Sequence, residues 1–186
     1  MQNGTTAAAG GRRGGGEGWG DFSSFVAARW TALVRTAYLL TGDFHEAEDL
    51  VQVTLAKVYP HWGGLRTETA DAYVRRALVN NNRSRHRRRR VVQLLMPFVP
   101  DRPAADAGQG GLGERDLLVS LLAGLPERQR AVVVLRYWED LSAEEVAELL
   151  GCSVGTVKSQ ASRALAKLRD LPELKELALT GLGAER

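Results

Sequence analysis

The chain has 186 residues, 44% of them hydrophobic and 25% charged, the mixture of an ordinary globular protein rather than a disordered or fibrous one. That length holds one or two small domains and excludes a catalytic barrel of about 250 residues. The formal net charge is +3, but residues 1–90 carry 14 basic and 8 acidic side chains against 11 and 14 in residues 91–186, so positive potential that attracts a polyanion belongs to the first half.

Residues 1–20 are dominated by glycine and read as a disordered tail. Residues 21–90 form the first folded unit. Phe22, Phe25, Val26, Leu33, Val34, Ala37 and Tyr38 trace one stripe of a helix from about Ser23 to Leu40, which Thr41-Gly42 ends. Asp43 and Glu46 have capping-box spacing, and Ala47, Leu50, Val51, Thr54, Leu55 and Val58 give the second helix its apolar face up to Pro60. After the turn His61 to Gly64, a third helix is expected from about Thr69 to Arg88.

Residues 91–113 contain three prolines and no sustained period, so they read as a flexible linker. Helical spacing returns in residues 114–177, where Leu117, Leu118, Leu121 and Leu122, then Ala131 to Leu135 with Tyr137, then Val146 to Leu150, then Val157 to Leu168 predict four short helices. Residues 178–186 read as a C-terminal tail. No segment alternates with period two, so the expected fold is all-α: a three-helix unit and a helix-turn-helix unit joined by the linker.

Cys152 is the only cysteine, which excludes a disulfide framework and a thiolate metal cluster and fits a reducing compartment. No apolar run reaches a membrane span and no secretory signal is present, so the expected location is cytoplasmic, with no membrane partner. His45, His61 and His86 are isolated from one another in sequence and read as surface or packing residues, not metal ligands. Neither a nucleophile elbow nor a phosphate-binding loop occurs, so no catalytic residue and no cofactor is expected.

Two constellations carry chemistry. Ser142 and Glu145 open a helix that Gly151 closes, and Ser153 caps the next one after a short turn, the signature of a helix-turn-helix. With Val157, Ala161, Ala164, Leu165 and Leu168 facing the core, Thr156, Ser159, Gln160, Arg163 and Lys167 lie opposite, residue types that read bases and hold phosphates. The same pattern would also suit a solvated face on a scaffold. In the first unit, six arginines lie between Arg83 and Arg90, preceded by Arg75, Arg76 and Asn80 to Asn82. Three successive asparagines weaken a helix, and packing does not account for them in sequence; with Trp62 and Tyr73 as stacking rings, they suggest a nucleic-acid face. Glu46, Glu48, Asp49 and Gln52 form an acidic patch that is either a solvated first turn or a dock for a basic protein.

Over residues 21 to 175 the chain resembles the bacterial RNA polymerase sigma factors of the extracytoplasmic-function group. Ala47-Glu48-Asp49-Leu50-Val51-Gln52 resembles the core-polymerase-binding stretch, and Ala72 to Asn80 the promoter-melting, minus-ten-reading helix. Leu125 to Tyr137, Leu141 to Ala147 and Gly155 to Leu165 resemble sigma domain four. The Val-Asn-Asn-Asn-Arg run and the Ser-Gln pair are similar to an actinobacterial, SigE-like subgroup, whereas Val53 stands where the family often has Glu and Gln160 where Arg is common.

The resemblance implies a non-enzymatic initiation factor that binds core polymerase, with the beta and beta-prime subunits as partners, and opens promoter DNA. Glu48, Asp49 and Gln52 would bind core. Trp62, Leu65, Arg66, Tyr73, Arg76, Asn80, Arg83 and Arg87 would serve the minus-ten element, and Ser153, Thr156, Lys158, Ser159, Gln160 and Arg163 the minus-thirty-five element. Whether an anti-sigma protein is a further partner, the sequence leaves open. The competing expectation is a stand-alone helix-turn-helix regulator that occupies an operator without polymerase.

Overall fold

A computed structural model describes residues 15–95, 114–172 and 174. The described residues form helices and turns with no strand, as the absence of alternating segments predicts. The expected tails before residue 15 and from 178 onward, and the linker from 96 to 113, lie outside the described residues.

The first unit is built from α1 (Gly15–Thr41), α2 (Phe44–Val58) and α3 (Thr67–Leu95), with a 3-10 turn at Tyr59–Gly64. α1 starts at Gly15, so the last six residues of the expected tail are helical; α3 continues to Leu95, taking the first five residues of the expected linker. α1 stops where Gly42 adopts φ +79°, a left-handed conformation that glycine enters without a Cβ penalty. The Asp43 carboxylate then accepts the Glu46 amide at 2.8 Å and caps α2. Only half of the expected capping box forms, because the Glu46 side chain turns away to two arginines of α3 and the Asp43 amide donates to the Thr41 hydroxyl.

The six apolar-face positions expected on α2, Ala47 through Val58, are all buried. They close on Val34 and Ala37 of α1 and Ala70, Val74 and Leu78 of α3. Burying a side chain such as Leu50 or Leu78 contributes about 1.5–3 kcal/mol, so this seam accounts for much of the unit's cohesion. Packing also explains two of the asparagines, contrary to expectation. Asn82 is buried, and Asn81 donates to Thr54 Oγ1 at 3.0 Å while accepting from Lys57 Nζ at 2.7 Å. Only Asn80 of the three is exposed.

The second unit comprises α4 (Glu114–Ala123), α5 (Glu127–Val133), a π-turn (Val134–Trp138), α6 (Ala143–Leu150) and α7 (Val154–Asp170). Its core joins Val119, Leu122, Val132, Leu135, Val146 and Val157 among others. The π-turn departs from the expected period. Widening the helix by one residue per turn brings Tyr137 and Trp138 to the surface, where they are 56% and 49% exposed. Leu118, one of the apolar positions whose spacing predicts α4, is exposed.

The two units pack on each other instead of being joined by a tether alone. Leu39 and Leu40 of α1 and Val79 of α3 belong to the second unit's core cluster. Arg130 of α5 reinforces this by donating to the Leu40 carbonyl at the end of α1 (3.2 Å) and to the carbonyls of Ala123 and Leu125. Cations suit that place, because a helix C-terminus carries partial negative charge.

Candidate nucleic-acid interface

The arginine-rich part of α3 divides into faces that a linear count of charges does not separate. Arg89 grips the Glu46 carboxylate, and Arg85 donates to the Glu46 backbone carbonyl at 2.9 Å, so both tie α3 to α2. Arg76, Asn80, Arg83 and Arg87, spaced at four, three and four residues, fall on another stripe. Asn80, Arg83 and Arg87 line a groove of about 630 Å³ together with Glu127 and Arg128. His86 lines it too; burial pushes its imidazole below the ordinary value, opposed by Glu127 and assisted by Arg130 and Arg89.

Not all of this stripe is open. Arg76 pairs with Glu148 of α6 at 3.2 Å, and Arg83 donates to the Leu150 carbonyl at 2.9 Å. On the adjoining face Arg75 pairs with Glu139 at 2.7 Å, a contact in which the carboxylate side chain is only 15% exposed. Thr36 of α1 donates to the other oxygen of the same carboxylate. Sequence reasoning missed Glu139 and Glu148, since nothing in their local pattern distinguishes them from solvated acids.

The ring assignments change. Trp62, expected to stack on bases, is buried, with its ring centroid 5.0 Å from that of Phe22 and 4.7 Å from that of Phe25. It is a core residue because the 3-10 turn folds it under α1. Tyr73 remains on the surface, Arg66 is exposed, and Leu65 is half-buried against the first core.

In the second unit the turn chemistry forms as expected. Ser142 and Glu145 make a full reciprocal capping box, at 3.1 and 2.7 Å, and Gly151 closes α6 with φ 61°, ψ 49°. The Ser153 hydroxyl accepts the Thr156 amide at 3.1 Å and lies 2.9 Å from its hydroxyl, so these two side chains set the start of α7. Val157, Ala161 and Ala164 are buried, whereas Lys158, Ser159 and Arg163 are exposed and Gln160 is half-buried. An exposed row of donors on the second helix of such a pair can enter a major groove.

On α2, Asp49 and Gln52 are exposed and Glu48 is half-buried. They sit beside Phe44 and Val53, which are 51% and 48% exposed. Among the described residues no ion pair engages Glu48 or Asp49 within the chain. A carboxylate flanked by uncovered apolar side chains has the composition of a protein-binding surface. Phe44 was not anticipated; its position directly after the N-cap was the available signal.

Known proteins share this arrangement. Residues 26–92 match the family model described as Sigma-70 region 2, and residues 115–168 match Sigma-70, region 4. The RNA polymerase sigma-E factor of Streptomyces avermitilis is 39% identical over 166 residues, covering 89% of this chain and 92% of that protein. The ECF RNA polymerase sigma factor SigL of Mycobacterium tuberculosis is 33% identical over 154 residues, 80% of this chain and 85% of its own. Among solved structures, the sigma factor RpoE in complex with the anti-sigma factor NepR from Bartonella quintana aligns with a TM-score of 0.64 and 31% identity, over 81% of this chain and 95% of that one.

Proposed function

The chain belongs to the sigma-70 family of RNA polymerase sigma factors, in its extracytoplasmic-function group, and directs transcription initiation; from this premise we propose how its residues divide the work. Asp49 and Gln52, with Glu48 behind them and Phe44 and Val53 alongside, bind core polymerase on the beta-prime subunit. The second unit engages the beta subunit. Arg76, Asn80, Arg83 and Arg87 track the minus-ten strand, while Leu65, Arg66 and Tyr73 receive unpaired bases; Trp62 supports that surface from within the core. Thr156, Lys158, Ser159, Gln160 and Arg163 read or hold the minus-thirty-five element, and Ser153 fixes the start of their helix.

In this reading the protein works in the cytoplasm, catalysis belongs to the polymerase, and no cofactor is needed. An anti-sigma protein is included among its partners because the structural relative RpoE was solved with one. The observation that supports the DNA assignment most directly is the capped α6–α7 pair with Lys158, Ser159 and Arg163 exposed along α7. A stand-alone operator-binding regulator is not favoured by the family membership.

Footprinting with permanganate, with and without core enzyme, tests the assignment. Two small units bound to one rigid partner gain effective concentration, so promoter protection and reactive thymines should require polymerase. Tight, sequence-specific protection by the isolated protein, unchanged by polymerase, would overturn it.

A further inference from the structure

We propose that the groove between α3 and α5 is a binding site for a small polyphosphate, its pyrophosphate group held by Arg83 and Arg87 from one side and Arg128 from the other. The site stands apart from the minus-ten assignment of α3, although it shares two residues with it.

The cations of this groove come from two separate segments. On α3, Arg83 and Arg87 are four residues apart, so they lie one above the other on one face. Across from them α5 contributes Arg128, and the walls enclose about 630 Å³, a volume in the range of small-molecule sites. Among the described residues, the side chains of Arg87 and Arg128 make no ion pair or hydrogen bond, and Arg83 donates only to the Leu150 carbonyl. Glu127 is the single carboxylate on a wall that carries these three guanidiniums. His86 of the same wall is held below its ordinary value chiefly by burial, with Arg130 and Arg89 adding to the effect and Glu127 and Glu46 opposing it. At pH 7.5 it therefore offers a neutral hydrogen-bonding edge.

A guanidinium presents its donors in a planar fork that matches phosphate oxygens. Three such groups facing one space call for an anion with more than one charge, because a monovalent ion leaves most of their field unanswered. A pyrophosphate group supplies several charges and several terminal oxygens in one small unit. Buried Ala131 and Leu150 give the groove an apolar side as well, against which a nucleoside carried on those phosphates packs. Arg83 and Arg87 are also assigned above to the minus-ten strand, a contact with phosphates of the same kind. Arg128 belongs to the second unit and lies outside that assignment, so it separates the two kinds of binding.

The test uses the full chain at low salt and pH 7.5. Isothermal titration calorimetry with inorganic pyrophosphate and with adenosine diphosphate should each show saturable binding, whereas adenosine alone should show none. Tighter binding of the nucleotide places its nucleoside against Ala131 and Leu150; equal affinities assign the groove to the phosphates alone. Arg128→Ala should weaken pyrophosphate binding about tenfold. Arg88→Ala, which removes an exposed α3 arginine outside the groove, should change it less than about twofold. Glu127→Gln removes the opposing charge and should tighten it about threefold. Arg128 is exposed, so its variant should keep the parent's circular dichroism, and fluorescence anisotropy should find its affinity for a single-stranded minus-ten oligonucleotide within about twofold of the parent's. No saturable binding of either phosphate ligand, equal losses in the Arg128 and Arg88 variants, or a loss of oligonucleotide affinity as large as that of pyrophosphate would overturn the proposal. Core-dependent transcription by the parent, assayed in parallel, tests the minus-ten assignment by itself; its absence removes that assignment and leaves the calorimetric result standing.

Discussion

Arg89 holds Glu46 through both terminal guanidinium nitrogens, at 2.5 and 3.0 Å, joining the arginine-rich half of α3 to the first turn of α2. The pair decides which arginines are structural. A residue counted in sequence as part of a nucleic-acid face is spent on holding two helices together, and Arg85 beside it is used likewise. Because Arg89 is half exposed, water and salt screen the pair, and its contribution is at most about 1 kcal/mol. Glu46→Gln should therefore lower thermal stability by a few degrees, leaving promoter affinity unchanged when both proteins are fully folded. Differential scanning calorimetry and anisotropy would check both halves.

Trp62 and Tyr73 should respond in opposite ways. Trp62→Ala removes a buried ring packed on Phe22 and Phe25 and should cost about 3–5 kcal/mol. Tyr73→Ala, at a surface position, should stay within about 0.5 kcal/mol of the parent while reducing permanganate-reactive thymines in the polymerase complex. Urea denaturation paired with the permanganate assay separates the two. Normal stability in the Trp62 variant would contradict its place in the core.

Asp49→Arg should weaken co-elution with core polymerase and leave circular dichroism unchanged, because the residue is exposed and bears no ion pair among the described residues. Reversing a charge at a complementary interface is costly in a way that reversing a solvated charge is not. Undiminished co-elution would assign the α2 patch to solvent.

His86 introduces a pH dependence whose sign follows from burial. Desolvation lowers its folded pKa below 6.5, with Arg130 and Arg89 acting the same way and Glu127 and Glu46 opposing. Between the folded and unfolded values the unfolded chain binds more protons, so the contribution is fully present above about 6.5 and is lost as pH falls through the folded value. Urea midpoints measured from pH 7.5 to 5 should decline in the parent. His86→Gln should flatten the part of that decline that begins near pH 6.5.

Local chemistry was legible without coordinates wherever neighbours in sequence settle the matter. The Ser142–Glu145 capping box, Gly151 as a left-handed C-cap, the Ser153 cap and the six buried positions of α2 all depend on spacing within one or two turns. That is enough to recover an all-α chain and its helix-turn-helix, while the family follows from the resemblance of its motifs over residues 21 to 175. The tertiary structure decided which side of each helix is used up. Helical period cannot tell that Trp62 turns inward and Tyr137 outward, because one rests on a 3-10 turn and the other on a π-turn. Nor can it divide the arginines, since Arg85 and Arg89 find Glu46 about 40 residues away while Arg76 and Arg83 meet α6 across the unit boundary. Charge in a sequence is a sum over residues, whereas the field at a surface depends on which charges already face a partner. That pairing is made only when distant segments pack.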